Sequence, residues 1–156
     1  MDEIRFVPLS DIPESAIIAL MNEPQVGKYL PLLAGGFSAE DCRAFLAAKA
    51  RLWEEHGYGP WGILIQGEFA GWGGLQPEAG EADFALVLHP MFWGWGRRIF
   101  GEVRERAFGE MGLDSMTILL PPSRPNWKAV MRLGFVADGE VVVGGEVFLR
   151  FRMVRG

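Results

Sequence analysis

The chain is poor in several residue types, and each shortage excludes something. One cysteine in 156 residues, Cys42, leaves no disulfide within the chain. The two histidines, His56 and His89, stand far apart, and no His, Cys and Asp cluster has metal-ligand spacing, so no metal is expected. No apolar run reaches the ~18 residues that span a bilayer. The opening MDEIRFVPLS is acidic and lacks a long apolar stretch, unlike a secretory signal. Together these features point to a cytoplasmic protein without a membrane partner. There are only two tyrosines, Tyr29 and Tyr58, both in the upstream half.

A surplus of basic residues is missing as well. The net charge of −5 argues against nucleic-acid binding. The charge is unevenly spread: residues 1–96 hold 5 Lys and Arg against 13 Asp and Glu, whereas residues 97–156 hold 10 against 7. One half suits a cationic ligand and the other an anionic one, unless the charges are scattered over the surface without forming a patch. The length suits one domain over residues 1–156 with a sizeable core.

Glycine, at 21 residues, and tryptophan, at 6, are abundant. Residues 3–9 alternate as a first strand, and 11–22 read as a helix with Pro13 in its first turn. Residues 22–36 are broken by proline and glycine and read as a loop with a short helical turn. Ser38 with Asp41 makes a capping box, and Cys42, Phe45, Leu46, Lys49 and Trp53 share one face of the helix that follows, closed by Gly57. Strands at 61–66, 69–75 and 82–88 form an antiparallel meander, with a turn at 77–81. A helix runs to about 111 and is ended by Gly112. A compact apolar strand at 116–120, a loop at 121–126 and a short helix at 127–133 follow, then strands at 135–143 and 147–153. The order specifies an α+β fold: a mixed, mostly antiparallel central sheet of about seven strands, flanked by about four helices. The fourth and fifth strands are joined through a helix and should be parallel.

The most informative stretch is FWGWGRRIF, residues 92–100. A strand ending at His89-Pro90, a glycine-bearing loop and a helix start expose unpaired backbone N–H groups. Gly94 and Gly96 let an anion approach that backbone, and Arg97 and Arg98 add positive charge. This describes a phosphate cradle, with a glycine-rich turn packed by tryptophans as the alternative. A Walker loop is excluded by the absence of Lys-Ser or Lys-Thr, and a GxGxxG fingerprint by Ile99.

PMFWGWGRRIF resembles the acetyl-CoA pyrophosphate loop of the GNAT N-acetyltransferase superfamily, in which a strand ending in Pro runs through [Q/R]-x-x-G-x-[G/A] into a helix. The pattern covers Trp93, Gly94, Trp95, Gly96, Arg97 and Arg98. Gly96 matches, Trp93 replaces Gln or Arg, and Arg98 replaces Gly or Ala. NEPQV, FSAEDCRAFL, YGPWGILIQGEFAGWGGL and ADFALVLHP resemble, in order, stations of the branch of ribosomal-protein N-terminal acetyltransferases. SRPNWKAVMRLGF resembles the segment that touches the pantetheine arm, with Ser123 or Asn126 as the contact depending on register.

The resemblance implies an acetyl-CoA-dependent N-acetyltransferase acting on a primary amine, with acetyl-CoA as cosubstrate, segment 24–36 as acceptor loop and a homodimer as a common assembly. It also implies an oxyanion donor from strand backbone near Val87 and Leu88. Such a transfer needs a base for the amine, and two groups are candidates. Asp83 stands seven residues before Pro90, where the branch often has Glu; its plainer role is a solvated carboxylate at a strand start. His89 has a suitable ordinary pKa of ~6.5 beside the loop. Glu68 and Glu81 are weaker candidates, and Cys42 reads as a buried hydrophobe. Trp53, Trp61 and Trp127 read as core or semi-core, while Trp72, Trp93 and Trp95 lie on segments that by resemblance line the site. The family's tyrosine acid is missing, its place falling on Val130. That gap and Arg98 leave a second reading, a domain that binds acyl-CoA without catalysis. A third is an unrelated α+β domain.

Overall fold

The computed structural model describes residues 3–27, 35–123 and 127–156. Seven strands form one sheet: β1 (Ile4–Val7), β2 (Pro60–Ile65), β3 (Glu68–Glu78), β4 (Glu81–Leu88), β5 (Ser115–Leu120), β6 (Val136–Val143) and β7 (Glu146–Val154). Their spatial order is β1-β2-β3-β4-β5-β7-β6. Every neighbouring pair is antiparallel except β4 and β5. That exception follows from the connection through α4 (Gly96–Phe108), which returns the chain to the same end of the sheet before β5 begins.

Two apolar layers cover the sheet. On one face α4 buries Ile99, Phe100, Val103 and Ala107 against Ile63, Leu75, Phe84, Leu88 and Ile118. The short α5 (Trp127–Arg132) adds Val130 to this layer. On the other face α1 (Glu14–Met21), α2 (Pro24–Gly27) and α3 (Ala39–His56) pack Ile17, Leu20, Val26 and Cys42 against Trp72 and Val87. The period-2 alternation of β4 accounts for both layers: Phe84 and Leu88 enter the first and Val87 the second, while Ala85 packs at the border of the second.

The capping box forms as expected, with Ser38 Oγ accepting from the Asp41 N–H and the Asp41 carboxylate accepting from the Ser38 N–H. Several boundaries differ from the sequence reading. Pro13 is the cap before α1 rather than part of its first turn, and a short 3-10 turn, Leu9–Asp11, precedes it. α4 stops at Phe108, with the Gly109 N–H reaching the Glu105 carbonyl, so Gly109 and not Gly112 ends it. β3 runs on to Glu78, and the turn narrows to Ala79-Gly80, both at positive φ. The α-helices number five among the described residues, the extra one being the single turn Pro24–Gly27. Trp127, expected in or at the edge of the core, is 41% exposed, and α5 buries Val130 instead.

Candidate active site

The ladder between β4 and β5 is short. Only Asp83 with Thr117 and Phe84 with Ile118 are in register, so β4 runs on from Ala85 to Leu88 with no ladder partner in β5. Its backbone direction there can be read from three contacts. The His89 N–H donates to the Ala70 carbonyl on β3 at 2.9 Å. A Cβ on Gly71 would lie 2.0 Å from the Val87 carbonyl oxygen, and one on Gly73 would lie 2.7 Å from that of Ala85. The backbone groups of Ala85, Val87 and His89 therefore face β3. By alternation those of Leu86 and Leu88 face the opening.

The Leu88 carbonyl is already taken, accepting the Trp93 indole N–H at 2.9 Å. The Leu88 N–H points the same way and stays available as a donor. Trp93, itself 48% exposed, thereby fastens the glycine-bearing turn to the end of β4. That turn is a 3-10 segment, Pro90–Trp95, started by His89, whose Nδ1 accepts from the Met91 N–H at 3.2 Å.

α4 begins at Gly96, straight from the 3-10 turn, with the Gly96 N–H bonded to the Trp93 carbonyl and no side-chain cap. The two glycines of FWGWGRRIF serve access rather than unusual backbone angles, since neither has positive φ. A Cβ on Gly94 would meet nothing within 4 Å, and one on Gly96 only the Leu86 Cδ2 at 3.8 Å. Arg97 is exposed at the same helix start. Arg98 turns away, with its Nη2 2.8 Å from Glu3 Oε2 and its guanidinium 4.6 Å from the Trp95 ring centre. Ser123 is exposed on the turn after β5, and Asn126 lies outside the described residues, as do residues 28–34 of the expected acceptor loop.

Asp83 is no solvated strand-start carboxylate: it is 5% exposed. Its Oδ1 accepts the Thr117 hydroxyl at 2.6 Å across the last two rungs joining β4 and β5. Burial is the main cause that pushes its pKa up to about 7; the Thr117 bond opposes the rise and the nearby Glu78 charge adds to it. Two cations on neighbouring elements are engaged elsewhere. Arg152 on β7 donates to Glu81 at 2.9 Å and to Asp138 at 3.0 Å. Lys49 on α3 donates to Gln76 at 2.7 Å and lies 5.3 Å from the ring centres of both Phe45 and Trp72. Burial lowers the Lys49 pKa, opposed by Glu78. Asp83 and His89 stand six residues apart on an extended chain, about 20 Å, so they do not act on one proton.

The site thus holds an open strand edge, a helix start with no side-chain cap reached past bare glycine backbone, and a buried carboxylate where the strands part. Sequence reasoning named Asp83 and the loop but missed Thr117, Lys49 and Gln76. Only the last two carried a signal, as polar residues on otherwise apolar faces. An acyl-CoA transferase needs these parts: an N–H beside the thioester carbonyl, a cradle for pyrophosphate and a base for the incoming nucleophile.

The chain belongs to the GNAT acetyltransferases, since the family model described as "Acetyltransferase (GNAT) domain" matches residues 3–136. It is accordingly an acetyl-CoA-dependent N-acetyltransferase. Solved structures share the fold over almost the whole length. A putative GnaT-family acetyltransferase from Bordetella pertussis superposes with a TM-score of 0.79 at 17% identity, covering 97% of this chain and 96% of that one. A putative ribosomal-protein-serine acetyltransferase from Vibrio cholerae gives 0.75 at 14%, covering 99% and 95%. A spermidine N-acetyltransferase from Vibrio cholerae, solved with CoA and spermine, gives 0.71 at 17%, covering 97% and 94%.

Proposed function

We propose that this enzyme moves the acetyl group of acetyl-CoA to a primary amine, either a peptide N-terminus or a small-molecule amine, by direct attack in the opening between β4 and β5. The observation that carries this reading is Asp83, a buried carboxyl with a pKa of about 7 at the vertex of that opening. A base works best with a pKa near the working pH, and Asp83 meets that condition.

Acetyl-CoA supplies an acetyl group already activated as a thioester. Its pyrophosphate fits the start of α4, where Gly94 and Gly96 leave room and Arg97 adds charge. The Leu88 N–H is the donor for the carbonyl oxygen as negative charge grows on it. Ser123 and Asn126 are the candidate contacts for the pantetheine arm. Asp83 stands five residues before Leu88 on the same strand, about 17 Å, so when ionised it takes up the amine's proton through water in the opening. His89 is set aside as base, because its Nδ1 is occupied as the cap of the turn.

The acceptor is an amine, whose positive charge before it loses its proton suits the acids Asp83 and Glu78. One structural neighbour is named for ribosomal-protein serine and another for spermidine, and both chemistries suit these acids. A cytoplasmic setting and a single domain over the chain fit this role.

Calorimetric titration with acetyl-CoA, on wild type and Gly96→Glu, tests the cradle. A carboxylate at position 96 meets only Leu86 Cδ2 near its Cβ and suits a helix N-terminus, so the variant should fold. Micromolar binding to wild type should fall at least ~30-fold in the variant, roughly 2 kcal/mol. Equal binding to both would remove the cradle. Release of CoA with a serine-initial peptide, spermidine and an aminoglycoside then tests transfer. Acetyl-CoA binding without turnover on any amine would favour a binding domain.

A further inference from the structure

Thr117 and Asp83 are the only two buried polar side chains among the described residues, and each is the other's partner. Packing alone does not call for a hydroxyl at position 117. Thr117 is 1% exposed, and its neighbours Met116 and Ile118 are also buried. Valine has nearly the same shape and would spare the cost of taking a hydroxyl out of water. The hydroxyl does have a place in the site. It sits one rung before β4 and β5 part, on the strand across from the proposed base.

We propose that Thr117 is a positioning residue for acetyl transfer: its hydroxyl holds Oδ1 of Asp83 at the vertex of the opening and leaves Oδ2 to take up, through water, the proton the amine loses. This rests on Asp83 being the base. The carboxyl is held from one side only, since Thr117 is its hydrogen-bond donor and Oδ2 has no partner among the described residues. A strand side chain so tied is held in one rotamer, which fixes the carboxylate that the water carrying the amine's proton must meet.

The charged groups around the carboxyl do not replace this bond. Glu78 on β3 raises the Asp83 pKa and Thr117 lowers it. Glu81, two residues earlier on β4, is bound to Arg152 of β7, which is also held by Asp138 of β6. Lys49 of α3 is bound to Gln76. Among the described residues, Thr117 is therefore the one neighbour that stabilises the ionised form through a direct bond.

The test is a carbon-detected NMR titration of the aspartate carboxyls in the free protein, with the Asp83 signal assigned by its loss in Asp83→Asn. In wild type it should titrate near neutrality. In Thr117→Val the midpoint should rise by about one pH unit, because a bond favouring the ionised form is gone. Thr117→Ser should restore the wild-type midpoint. The same midpoint in all three would overturn the proposal. If the valine variant does not fold, Thr117→Ala against Thr117→Ser gives the same comparison. Turnover of Asp83→Asn with the amine panel tests the base separately. Full activity there removes the base and Thr117's role with it. Loss of activity with no midpoint change removes Thr117 alone.

Discussion

At the scale of single residues, Asp83 is costly to bury. Folding takes its carboxyl out of water, and Arg152 and Lys49 are bound to other partners. An aspartate in the unfolded chain titrates near 3.8, and Asp83 in the fold at about 7. Between those values the folded protein keeps a proton that the unfolded chain has lost. Stability therefore falls as pH rises from about 4 to 7, by about 1.4 kcal/mol for each pH unit. Asp83→Asn should remove this dependence, melting several degrees above wild type at pH 8 and close to it at pH 4. It should also lose about 100-fold or more in kcat. Paired melting curves and rates check both signs. A variant less stable than wild type at pH 8 would mean that the carboxylate is held by a cation.

Residue identity was partly legible beforehand. Asp83 stood out through its distance from Pro90, and the glycines through their place before a helix. Thr117 did not stand out. In SMTILL a threonine reads as one more β-branched strand former, and only the register across β4 and β5 shows what its hydroxyl meets.

At the scale of elements, the site depends on how closely β3 approaches β4. The place a Gly71 Cβ would take is 2.0 Å from the Val87 carbonyl oxygen, a backbone atom that cannot step aside. Gly71→Ala should therefore force the two strands apart beside Leu88 and cost about 2 kcal/mol or more in urea unfolding. Gly101→Ala on α4 is the matched control. Its added methyl meets nothing within 4 Å, so it should stabilise by up to ~1 kcal/mol. Helix caps and meander turns were readable because their signals are local: Ser38 with Asp41, and the glycines of the tight turns. The early end of α4 was not readable. The apolar spacing runs on through Met111, while the backbone breaks at Gly109. The short β4–β5 ladder was equally hidden, because ADFALVL carries no mark of where its partner leaves it.

At the scale of the whole molecule, a single parallel pair in an otherwise antiparallel sheet creates the opening. The α4 crossover makes β4 and β5 parallel, and the end of their ladder leaves the Leu86 and Leu88 backbone without a strand partner on that side. The uneven charge of the sequence does not become one basic surface. Arg98, Arg150, Arg152 and Arg155 are each paired with an acid, whereas Arg97 stands exposed at the start of α4. Fold and family were legible from the ordered stations along the chain. The geometry of the opening was not, since it arises from pairing between segments about 30 residues apart in sequence.

The most direct measurement is an amide NMR titration of the free enzyme with acetyl-CoA. The N–H signals of Leu86, Leu88 and residues 94–98 should shift together and saturate at one affinity. Shifts confined to the groove by Gly134, Val136 and Asp138, with Leu88 and the start of α4 unmoved, would contradict acetyl-CoA binding between β4 and β5.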